Sequence, residues 1–147
     1  MRRALVTGGS GGIGAAICRR LAADGCHVYV HANASRDAAR AVVDEIGAAG
    51  GAAEAVAFDV TDALATKAAL DAMLTQGAIQ IVVNNAGIHD DGVFPALRAA
   101  QWHGAIDVCL HGFFNVTQPL TMRMIRGRWG RFGNISSGDA IAGTPGP

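Results

Sequence analysis

The sequence RALVTGGSGGIG, residues 3–14, joins a short apolar run to a loop of glycine and serine. The apolar run predicts a buried strand, and the stretch from Thr7 to Gly14 predicts a tight turn that opens a helix. Glycine lets the backbone come close to a bound group, and a helix amino terminus offers free N–H groups and a positive dipole end. This arrangement predicts a binding site for the diphosphate of a dinucleotide; the alternative is a purely structural turn. A P-loop is excluded, because no Gly-Lys-Ser/Thr follows.

Apolar segments of strand length alternate with longer segments of helical period along the rest of the chain. Four further strands are predicted in HVYVH (27–31), AEAVAFDV (53–60), AIQIVVNNAG (78–87) and RFGNISS (131–137). Strands separated by helices form a parallel sheet with helices on both faces. The expected fold class is therefore α/β, a doubly wound parallel sheet of Rossmann type. Residues 1–147 are expected to form one domain that binds ligands at the carboxyl ends of its strands.

Side-chain patterns also predict how the helices begin and pack. Ser35 and Asp62 are expected to cap the second and third helices, because their oxygens can accept hydrogen bonds from first-turn N–H groups. In the long helical segment that follows the fourth strand, Pro119 is expected to produce a bend. The first helix is predicted to bury an apolar stripe of residues four apart, namely Ile13, Ile17 and Leu21.

Composition argues against several classes of protein. The chain carries no net charge at pH 7, which argues against a dedicated nucleic-acid partner. No apolar run reaches the roughly 20 residues that cross a bilayer, and no signal-peptide pattern opens the chain, so we expect a cytoplasmic protein. The three cysteines form no CxxC pair and are interpreted as buried, reduced thiols. The five histidines show no ligand spacing, so no metal site is predicted.

Two motifs in combination resemble those of a known family. The glycine loop has the spacing Thr-Gly-x-x-x-Gly-x-Gly, and the fourth strand ends in NNAG, residues 84–87. Together with Asp59-Val60 and with NISS at residues 134–137, they resemble the classical short-chain dehydrogenase/reductases over the whole chain. The segments IDVCLHGFFNVTQ (106–118) and GRWGRFGNISS (127–137) are most similar to the 3-oxoacyl-[acyl-carrier-protein] reductase branch.

The resemblance implies three groups of cofactor-binding residues, which surround the diphosphate and adenosine ribose, the adenine, and the ribose on the nicotinamide side. Asp59 would accept a hydrogen bond from the adenine amino group, whereas Asn84 is expected to be structural, since Asn readily bonds nearby backbone. In the order given, the groups are Gly8, Ser10, Gly11, Gly12 and Ile13; Asp59 and Val60; and Asn85, Ala86 and Gly87.

The resemblance also implies a catalytic residue and reveals two departures. Ser137 aligns with the family's catalytic serine, which hydrogen-bonds the substrate carbonyl, and Ser136 is expected to be structural. Cys109 stands where the family has an asparagine that helps to hold a proton relay; its thiol is interpreted as a small buried apolar group. The family's Tyr-x-x-x-Lys is absent, since Tyr29, in the second strand, is the only tyrosine.

We expect the cofactor to be NADP(H) rather than NAD(H). NAD-preferring relatives place an acidic residue just after the second strand, where it binds the ribose hydroxyls and repels a 2′-phosphate. Here the stretch is HANASR (31–36), in which Asn33 and Ser35 can donate to a phosphate and Arg36 can neutralise it. The alternative is that Ser35 only caps a helix and Arg36 is solvated. Gly11 replaces an arginine that NADP enzymes often have, so the preference is expected to be modest.

The function implied by the resemblance is NADPH-dependent reduction of a 3-oxoacyl thioester on an acyl carrier protein, as in fatty-acid biosynthesis. The family is commonly tetrameric, so a homo-oligomer is expected. Arg128 lies in TMRMIRGRWGR (121–131), which has no acidic residue, and matches a position that contacts the acidic carrier in such reductases. The alternatives are a relative that acts on sugars, polyols or steroids, and a cofactor-binding pseudoenzyme.

The chain is expected to be the amino-terminal part of a longer enzyme, with the catalytic tyrosine and the substrate-binding part outside residues 1–147. Counted from Ser137 with the family's spacing, that tyrosine falls just past Pro147. A catalytic serine without its acid leaves the developing alkoxide unprotonated, which forfeits typically about 10²–10⁴-fold in rate. Residues 1–147 alone are therefore expected to be inactive.

Overall fold

The computed structural model describes residues 1–90, 92–138 and 141–142. The strands are β1 (Arg3–Val6), β2 (His27–Ala32), β3 (Ala52–Ala57), β4 (Ile79–Asn84) and β5 (Arg131–Asn134). The α-helices are α1 (Gly12–Ala23), α2 (Arg36–Ala48), α3 (Ala63–Leu74), α4 (Ala99–Ile106) and α5 (Gly112–Arg126). A π-helical segment (Asp107–His111) joins α4 to α5, and a short 3-10 turn (Phe94–Ala96) precedes α4.

All neighbouring strands pair in parallel, in the order β3-β2-β1-β4-β5, which confirms the predicted doubly wound α/β fold. The order reverses beside β1, so β1 lies between β2 and β4. At such a switch point the loops that leave the two strands diverge to opposite faces and open a crevice at the carboxyl ends. The two loops here are the glycine loop after β1 and the NNAG turn after β4. The fold therefore brings the two sequence motifs to one place.

Alternate residues of β1 face two apolar cores, one on each side of the sheet. Ala4 and Val6 pack on the side of α1 and α2, whereas Leu5 packs on the side of α3 and α5. All three side chains are fully buried. A strand covered on both faces has no need of polar alternation, which explains the continuous apolar runs in the sequence.

Ser35 and Asp62 cap α2 and α3 as predicted. The Ser35 hydroxyl accepts a hydrogen bond from the N–H of Ala38 at 3.4 Å. The Asp62 carboxylate accepts from the N–H groups of Leu64 and Ala65, both at 2.9 Å. Such a cap is typically worth about 1 kcal/mol, because it satisfies first-turn N–H groups that have no partner within the helix.

The buried face of α1 differs from the predicted stripe. Ile13 is 64% exposed, and Ile17 and Leu21 are half-buried. Ile17 and Leu21 pack against the core as predicted. The prediction was wrong for Ile13, because α1 approaches the glycine loop so closely that only small side chains fit beneath it: a Cβ on Gly14 would lie 2.1 Å from the carbonyl oxygen of Gly8. The residues that α1 buries are Gly14, Ala15, Cys18 and Ala22.

Two element boundaries also differ from the predictions. The β3 strand ends at Ala57, so Asp59 and Val60 follow the strand instead of belonging to it. In the long helical segment that follows β4, the structure departs from α-helical geometry at the π-helical segment Asp107–His111. At Pro119, where a bend was predicted, α5 continues as an α-helix. No helix in the described ranges is long and apolar enough to cross a membrane.

Candidate active site

The glycine loop after β1 is shaped by backbone contacts that leave no room for larger side chains. Gly8 has φ +63°, in the left-handed region that favours glycine. A Cβ on Gly9 would lie 2.9 Å from the carbonyl oxygen of Val6. The loop closes with a hydrogen bond from the N–H of Gly11 to the carbonyl of Gly8 at 3.2 Å, and α1 begins at once. The first N–H groups of α1 therefore face the crevice beside a close-packed loop, which suits a bound anion.

Thr7 and Asn85 lock this loop to the NNAG turn. The Thr7 hydroxyl accepts hydrogen bonds from the N–H groups of Asn85 and Ala86, both at 3.0 Å, and donates to the carbonyl of Val83 at 3.4 Å. The Asn85 side-chain amide donates in return to the carbonyls of Thr7 and Gly8, both at 3.1 Å. The two motifs that carried the family resemblance are thus one hydrogen-bonded unit across β1 and β4.

His31, near the end of β2, holds the loop from its other side. Its Nδ1 accepts a hydrogen bond from the N–H of Gly8 at 3.1 Å, so Nε2 carries the proton and donates to the carbonyl of Phe58 at 2.8 Å. The side chain is 2% exposed. Burial lowers the pKa of His31, with the hydrogen bond to Phe58 and the charge of Asp59 acting in the opposite direction. The imidazole is therefore neutral at pH 7.

The adenine-side loop after β3 is held by α5. Val60 is buried, and its carbonyl accepts a hydrogen bond from the Asn115 side chain at 2.9 Å. A Cβ on Gly112 would lie 2.7 Å from a methyl carbon of Val60, so glycine is needed where α5 crosses this loop. Asp59 is exposed, and one of its carboxylate oxygens accepts from the N–H and the hydroxyl of Thr61, both at 2.8 Å.

The far end of the crevice lies between the ends of β4 and β5. The Asn84 side chain donates to the hydroxyl of Thr117 at 3.0 Å and to the side-chain oxygen of Asn134 at 2.9 Å, and its backbone carbonyl accepts from the N–H of Ile135. These bonds join β4, α5 and β5, in line with the structural role expected for Asn84. Ser137 follows β5 and is exposed.

Cys109 corrects a prediction. Its side chain is exposed and lines the crevice, so interpreting it as a buried apolar group was wrong. It lies in the π-helical segment, opposite the NNAG turn, where a Cβ on Gly87 would be 3.7 Å from its sulfur. Such π-helical segments occur frequently at functional sites, because they change the register of the side chains that follow. The other two cysteines, Cys18 and Cys26, are buried as predicted.

The crevice consists of two adjoining cavities of about 540 Å³ and 660 Å³. The smaller one is lined by the residues predicted to bind the dinucleotide, from Gly8 in the glycine loop to Gly87 in the NNAG turn, with Asn33 and Asp59 between them; Ser35 and Arg36 are not among its lining residues. Ser137 and Cys109 line the larger one. Eight lining residues are common to both cavities: Ile13, Val60, Asn85, Ala86, Gly87, Ile88, His89 and Val108. The cavities therefore form one continuous cleft.

Arg36, which was expected at the cofactor, and Tyr29, the tyrosine of the second strand, both lie away from this cleft. Arg36, expected near a 2′-phosphate, lines a separate depression with Glu54 and Met73. Tyr29 is buried on the α3 side of the sheet, where its hydroxyl accepts from Arg3 and donates to the carbonyl of Met73. Within the described ranges, no group of three or more His, Cys, Asp or Glu residues could hold a metal ion.

Four residues that hold the loops around the cleft in place, through hydrogen bonds or close packing, were not predicted from the sequence. His31 was considered only as a metal ligand, and Cys18, Gly112 and Asn115 were not considered as site residues. Gly112 and Asn115 lie three apart and so share a face of α5, which is the one signal that could have linked them. His31 gave no such signal, because its partners Gly8 and Phe58 lie 23 and 27 residues away in the chain.

Relatives of known sequence match all or most of this chain. The 3-oxoacyl-[acyl-carrier-protein] reductase of Staphylococcus aureus is 40% identical over 146 residues, which are 99% of this chain and 59% of that protein. The acetoacetyl-CoA reductase of Cupriavidus necator is 39% identical over 137 residues, 92% of this chain and 56% of that protein.

A solved structure agrees with these relatives. The gluconate 5-dehydrogenase of Burkholderia cenocepacia, crystallised with NADP and tartrate, matches with a TM-score of 0.86 and 36% identity, over 92% of this chain and 53% of that one. The chain thus spans less than two thirds of the length of each of the three relatives. The profile of the short chain dehydrogenases matches residues 2–146. The glycine loop, the NNAG turn and Ser137 surround one cleft in a sheet of matching topology, and the chain belongs to the short chain dehydrogenase family.

Proposed function

We propose that this protein reduces a 3-oxoacyl thioester, carried by an acyl carrier protein, to the 3-hydroxyacyl form with NADPH. The observation that carries the proposal is the continuous cleft with the glycine loop at one end and Ser137 at the other. A site of this kind can hold a dinucleotide along its length and a carbonyl substrate beside its reactive end. The match to a 3-oxoacyl-[acyl-carrier-protein] reductase over 146 residues supports the proposal. Because these residues are 59% of that reductase, the proposed activity is that of the complete protein.

The residues of the smaller cavity fit a dinucleotide. A Cβ on Gly12 would meet no atom within 4 Å, so the space before the first turn of α1 is open to a diphosphate. The N–H groups there and the helix dipole favour its negative charge. Asp59, exposed beside the buried Val60, would accept a hydrogen bond from the adenine amino group.

Preference for NADP(H) over NAD(H) is supported by the end of β2. Asn33 lines the smaller cavity, and no acidic side chain follows the strand until Asp37. The Ser35 hydroxyl lies nearby as the cap of α2 and can still donate its proton to a phosphate oxygen. Since Arg36 lines a separate depression, a 2′-phosphate would depend on hydrogen bonds more than on a paired charge. The expected preference is therefore modest.

Ser137 is the group of this chain that we assign to the chemistry. When bound, a nicotinamide cofactor supplies a hydride to the carbonyl carbon. The Ser137 hydroxyl would donate a hydrogen bond to the carbonyl oxygen as negative charge develops there, which stabilises the transition state more than the substrate. The tyrosine within residues 1–147, Tyr29, is buried in the core. We therefore assign the protonation of that oxygen to an acid outside these residues.

The substrate class follows the names of the relatives, two of which are reductases of 3-oxoacyl thioesters. A second candidate is a polyhydroxy acid, because the solved structure that matches this chain is a gluconate 5-dehydrogenase. A third is a cofactor-binding pseudoenzyme, which is favoured by Cys109 at the relay position.

Turnover of the complete protein separates the three candidates. We expect reduction of an acetoacetyl thioester with a higher kcat/KM for NADPH than for NADH, and little oxidation of gluconate with NADP. Faster turnover of gluconate would replace the proposal by the second candidate, and cofactor binding without turnover by the third. Ser137→Ala should lower kcat by at least about 10²-fold, as loss of a hydrogen bond to a developing oxyanion does. Ser136→Ala, which changes the neighbouring hydroxyl, is the matched control.

We also propose that Arg128 contacts the carrier protein. Arg128 is exposed, with φ 55°, in the turn between α5 and β5. Beside it, Trp129 is flanked by the guanidinium groups of Arg2 at 4.0 Å and Arg131 at 5.0 Å from the ring centre. This surface lies at the amino end of β5, whereas Ser137 follows its carboxyl end. An acidic carrier on the basic surface would thus lie beside the subunit and not over its cleft.

Charge reversal tests this contact. Arg128→Glu should raise KM for a carrier-bound substrate and leave KM for a small thioester unchanged. Arg40→Glu, an exposed arginine on α2, is the matched control and should change neither. An equal loss on both substrates would indicate a folding defect and would contradict the proposed contact.

A homotetramer is proposed as well, on the evidence of apolar side chains exposed on α4, α5 and the segment between them. They are Trp102, Leu110, Phe114, Met122 and Ile125. Burial of such residues between subunits removes apolar surface from water, which drives association. Sedimentation of the complete protein as a monomer would overturn this proposal.

A further inference from the structure

His31 bridges two parts of the proposed cofactor site that follow different strands, the glycine loop after β1 and the loop after β3. Its ring accepts from the N–H of Gly8, in the diphosphate loop, and donates to the carbonyl of Phe58, next to the adenine-side Asp59. The ring is buried and packs against the Phe58 ring with centres 4.2 Å apart. Its edge also contributes to the lining of the smaller cavity.

The Gly8 peptide that His31 holds is the centre of the loop. The carbonyl of Gly8 accepts from the N–H of Gly11 and from the Asn85 side chain. The N–H of Gly8 has His31 Nδ1 as acceptor, and the carbonyl of Thr7, in the same peptide group, accepts from the Asn85 side chain. Removing the His31 acceptor would leave this N–H unpaired, so that the peptide group is held from the Asn85 side alone and the turn that faces the diphosphate is less tightly fixed.

We propose that His31 is a positioning residue for the cofactor: only its neutral form, with the proton on Nε2, fixes Gly8 in the conformation that receives the diphosphate. The inference rests on the proposed cofactor site and adds a residue and a proton to it. A proton at Nδ1 would point at the N–H of Gly8, so two donors would face each other and the bond would be lost. Cofactor affinity should therefore decrease as pH falls, because protonation of His31 breaks its hydrogen bond with the N–H of Gly8.

Four other titratable groups lie near His31 or line the same cavity: Asp59, Cys18, His27 and His89, the last of which follows the NNAG turn. Asp59, which follows Phe58, is the carboxylate whose charge acts on His31. Cys18 of α1 lies below the loop with its thiol 3.8 Å from the carbonyl of Gly9, and burial raises the pKa of Cys18 to about 12, so it stays neutral. On β2 itself, burial also lowers the pKa of His27, which lies at the opposite end of the strand.

Two conservative substitutions separate the two hydrogen bonds. In His31→Asn the side-chain oxygen occupies the place of Nδ1 and can accept from Gly8. In His31→Gln the terminal amide nitrogen occupies the place of Nε2 and can donate to Phe58, but no acceptor faces Gly8. A role in positioning the loop predicts that Asn restores cofactor binding and Gln does not. A merely structural role predicts no such difference.

The test is the dissociation constant of NADPH for the complete protein, measured by fluorescence from pH 5 to 8 for the native protein and both variants. We expect His31→Asn to bind within about twofold of the native protein at pH 8, and His31→Gln about threefold to tenfold more weakly, the equivalent of one hydrogen bond. Native affinity relative to His31→Asn should fall as pH passes through the pKa of His31, which burial places below 6.5; this ratio cancels titration of the 2′-phosphate, which has a pKa near 6.

Each outcome decides the matter. Equal affinities for the Asn and Gln variants, or a native-to-Asn ratio that is constant with pH, would overturn the role of His31 while the cofactor site stands. Failure of the native protein to bind NADPH at any pH would overturn the proposed function itself. Thermal unfolding of the three proteins in the absence of NADPH shows whether a change in affinity merely follows a change in stability.

Discussion

The loop after β1 and the loop after β5 border the same cleft but are built differently. The first is attached to β4 through Thr7 and Asn85 and to β2 through His31, with its backbone close-packed against α1. The second follows an edge strand that pairs with β4 alone among the described strands, and residues 134–138 are exposed. The glycine-loop end of the cleft is thus part of the hydrogen-bonded core, whereas the Ser137 end is not. Substitutions at the first should cost stability, and those at the second should cost turnover.

Glycine-to-alanine substitutions should give the largest contrast between the two loops. In Gly14→Ala the new Cβ would lie 2.1 Å from the carbonyl oxygen of Gly8 and 2.7 Å from the side-chain nitrogen of Asn85, which is itself held by two hydrogen bonds, so the neighbours have little room to relax. We expect a loss of more than about 3 kcal/mol in the free energy of unfolding, the upper end of overpacking costs. Gly138→Ala, with no atom within 4 Å, should stay within about 0.5 kcal/mol. Urea unfolding measures both, and equal losses would mean that the loops do not differ in this way.

Threonine-to-valine substitutions provide a second pair. Thr7→Val removes the acceptor for the N–H groups of Asn85 and Ala86 and should cost about 2 kcal/mol, since each unpaired buried group costs about 1–3 kcal/mol. Thr117→Val leaves Asn84 with Asn134 as its other acceptor and should cost less than about 1 kcal/mol. Thr7→Ser, which keeps the hydroxyl, is the control. If Thr117→Val lowered the free energy of unfolding as much as Thr7→Val does, the hydrogen bonds of Thr7 with the NNAG turn would not be the stronger connection between the two sides of the cleft.

Acid should weaken the fold at the β2 side of the sheet. The pKa values of His27 and His31 are lowered from 6.5 in the folded chain, so the unfolded chain binds protons more readily as pH falls below 6.5. The contribution of these histidines to stability is therefore complete above pH 6.5 and is lost below it, by about 1.4 kcal/mol for each pH unit between the folded and unfolded pKa values of the buried His31 and by less for the partly exposed His27. The lowered pKa of Asp71 acts only below 3.8, so it does not obscure this range. His31→Asn should reduce the slope between pH 6.5 and 5, as followed by urea unfolding; an unchanged slope would place the acid sensitivity elsewhere.

Thiol reactivity should give the smallest effect, a difference in labelling. Cys18 lies beneath the glycine loop, and burial raises its pKa to about 12, so almost no thiolate forms at pH 8. Cys109 is exposed in the cleft. We expect iodoacetamide to label Cys109 in the native protein and Cys18 only after unfolding, with bound NADPH slowing the labelling of Cys109. Mass spectrometry of the peptides measures the labelling of each cysteine. Labelling of Cys18 in the native protein would mean that the glycine loop opens in solution.

The sequence was sufficient for those features in which a residue acts through its neighbours in the chain. The caps at Ser35 and Asp62, the apolar strands and the glycine turn depend on spacings of a few residues, and all were predicted. The residues expected at the dinucleotide were those implied by the family resemblance of short motifs, and the fold brings them together in one cavity. The predicted topology was sufficient to expect one shared cavity, because each motif follows a strand of a parallel sheet and the carboxyl ends of those strands meet at one edge.

The features that could not be predicted depend on contacts between distant elements. Ile13 belongs to an apolar pattern, yet the close approach of α1 to the glycine loop turns it outward, where it lines the cleft. Cys109 is small and apolar, yet the π-helical segment exposes it. Arg36 is close to Asn33 in the chain, but the start of α2 directs it to the other side. In each case the deciding contact joins residues that sequence spacing does not relate.

The bond between Thr7 and the NNAG turn has a consequence for the order in which the molecule folds. Thr7 is 78 residues from Asn85 and 79 residues from Ala86 in the chain. The neighbouring pairing of β1 with β2 closes a far shorter loop. Contacts of large sequence separation require more chain entropy to be lost before they form, and they form slowly. During synthesis on the ribosome, β1 and β2 can therefore pair while the glycine loop is still unlocked. We expect the N–H of Ala86 to be among the last to gain protection in pulse-labelled hydrogen exchange, so that the nascent chain acquires its sheet before it can retain a cofactor.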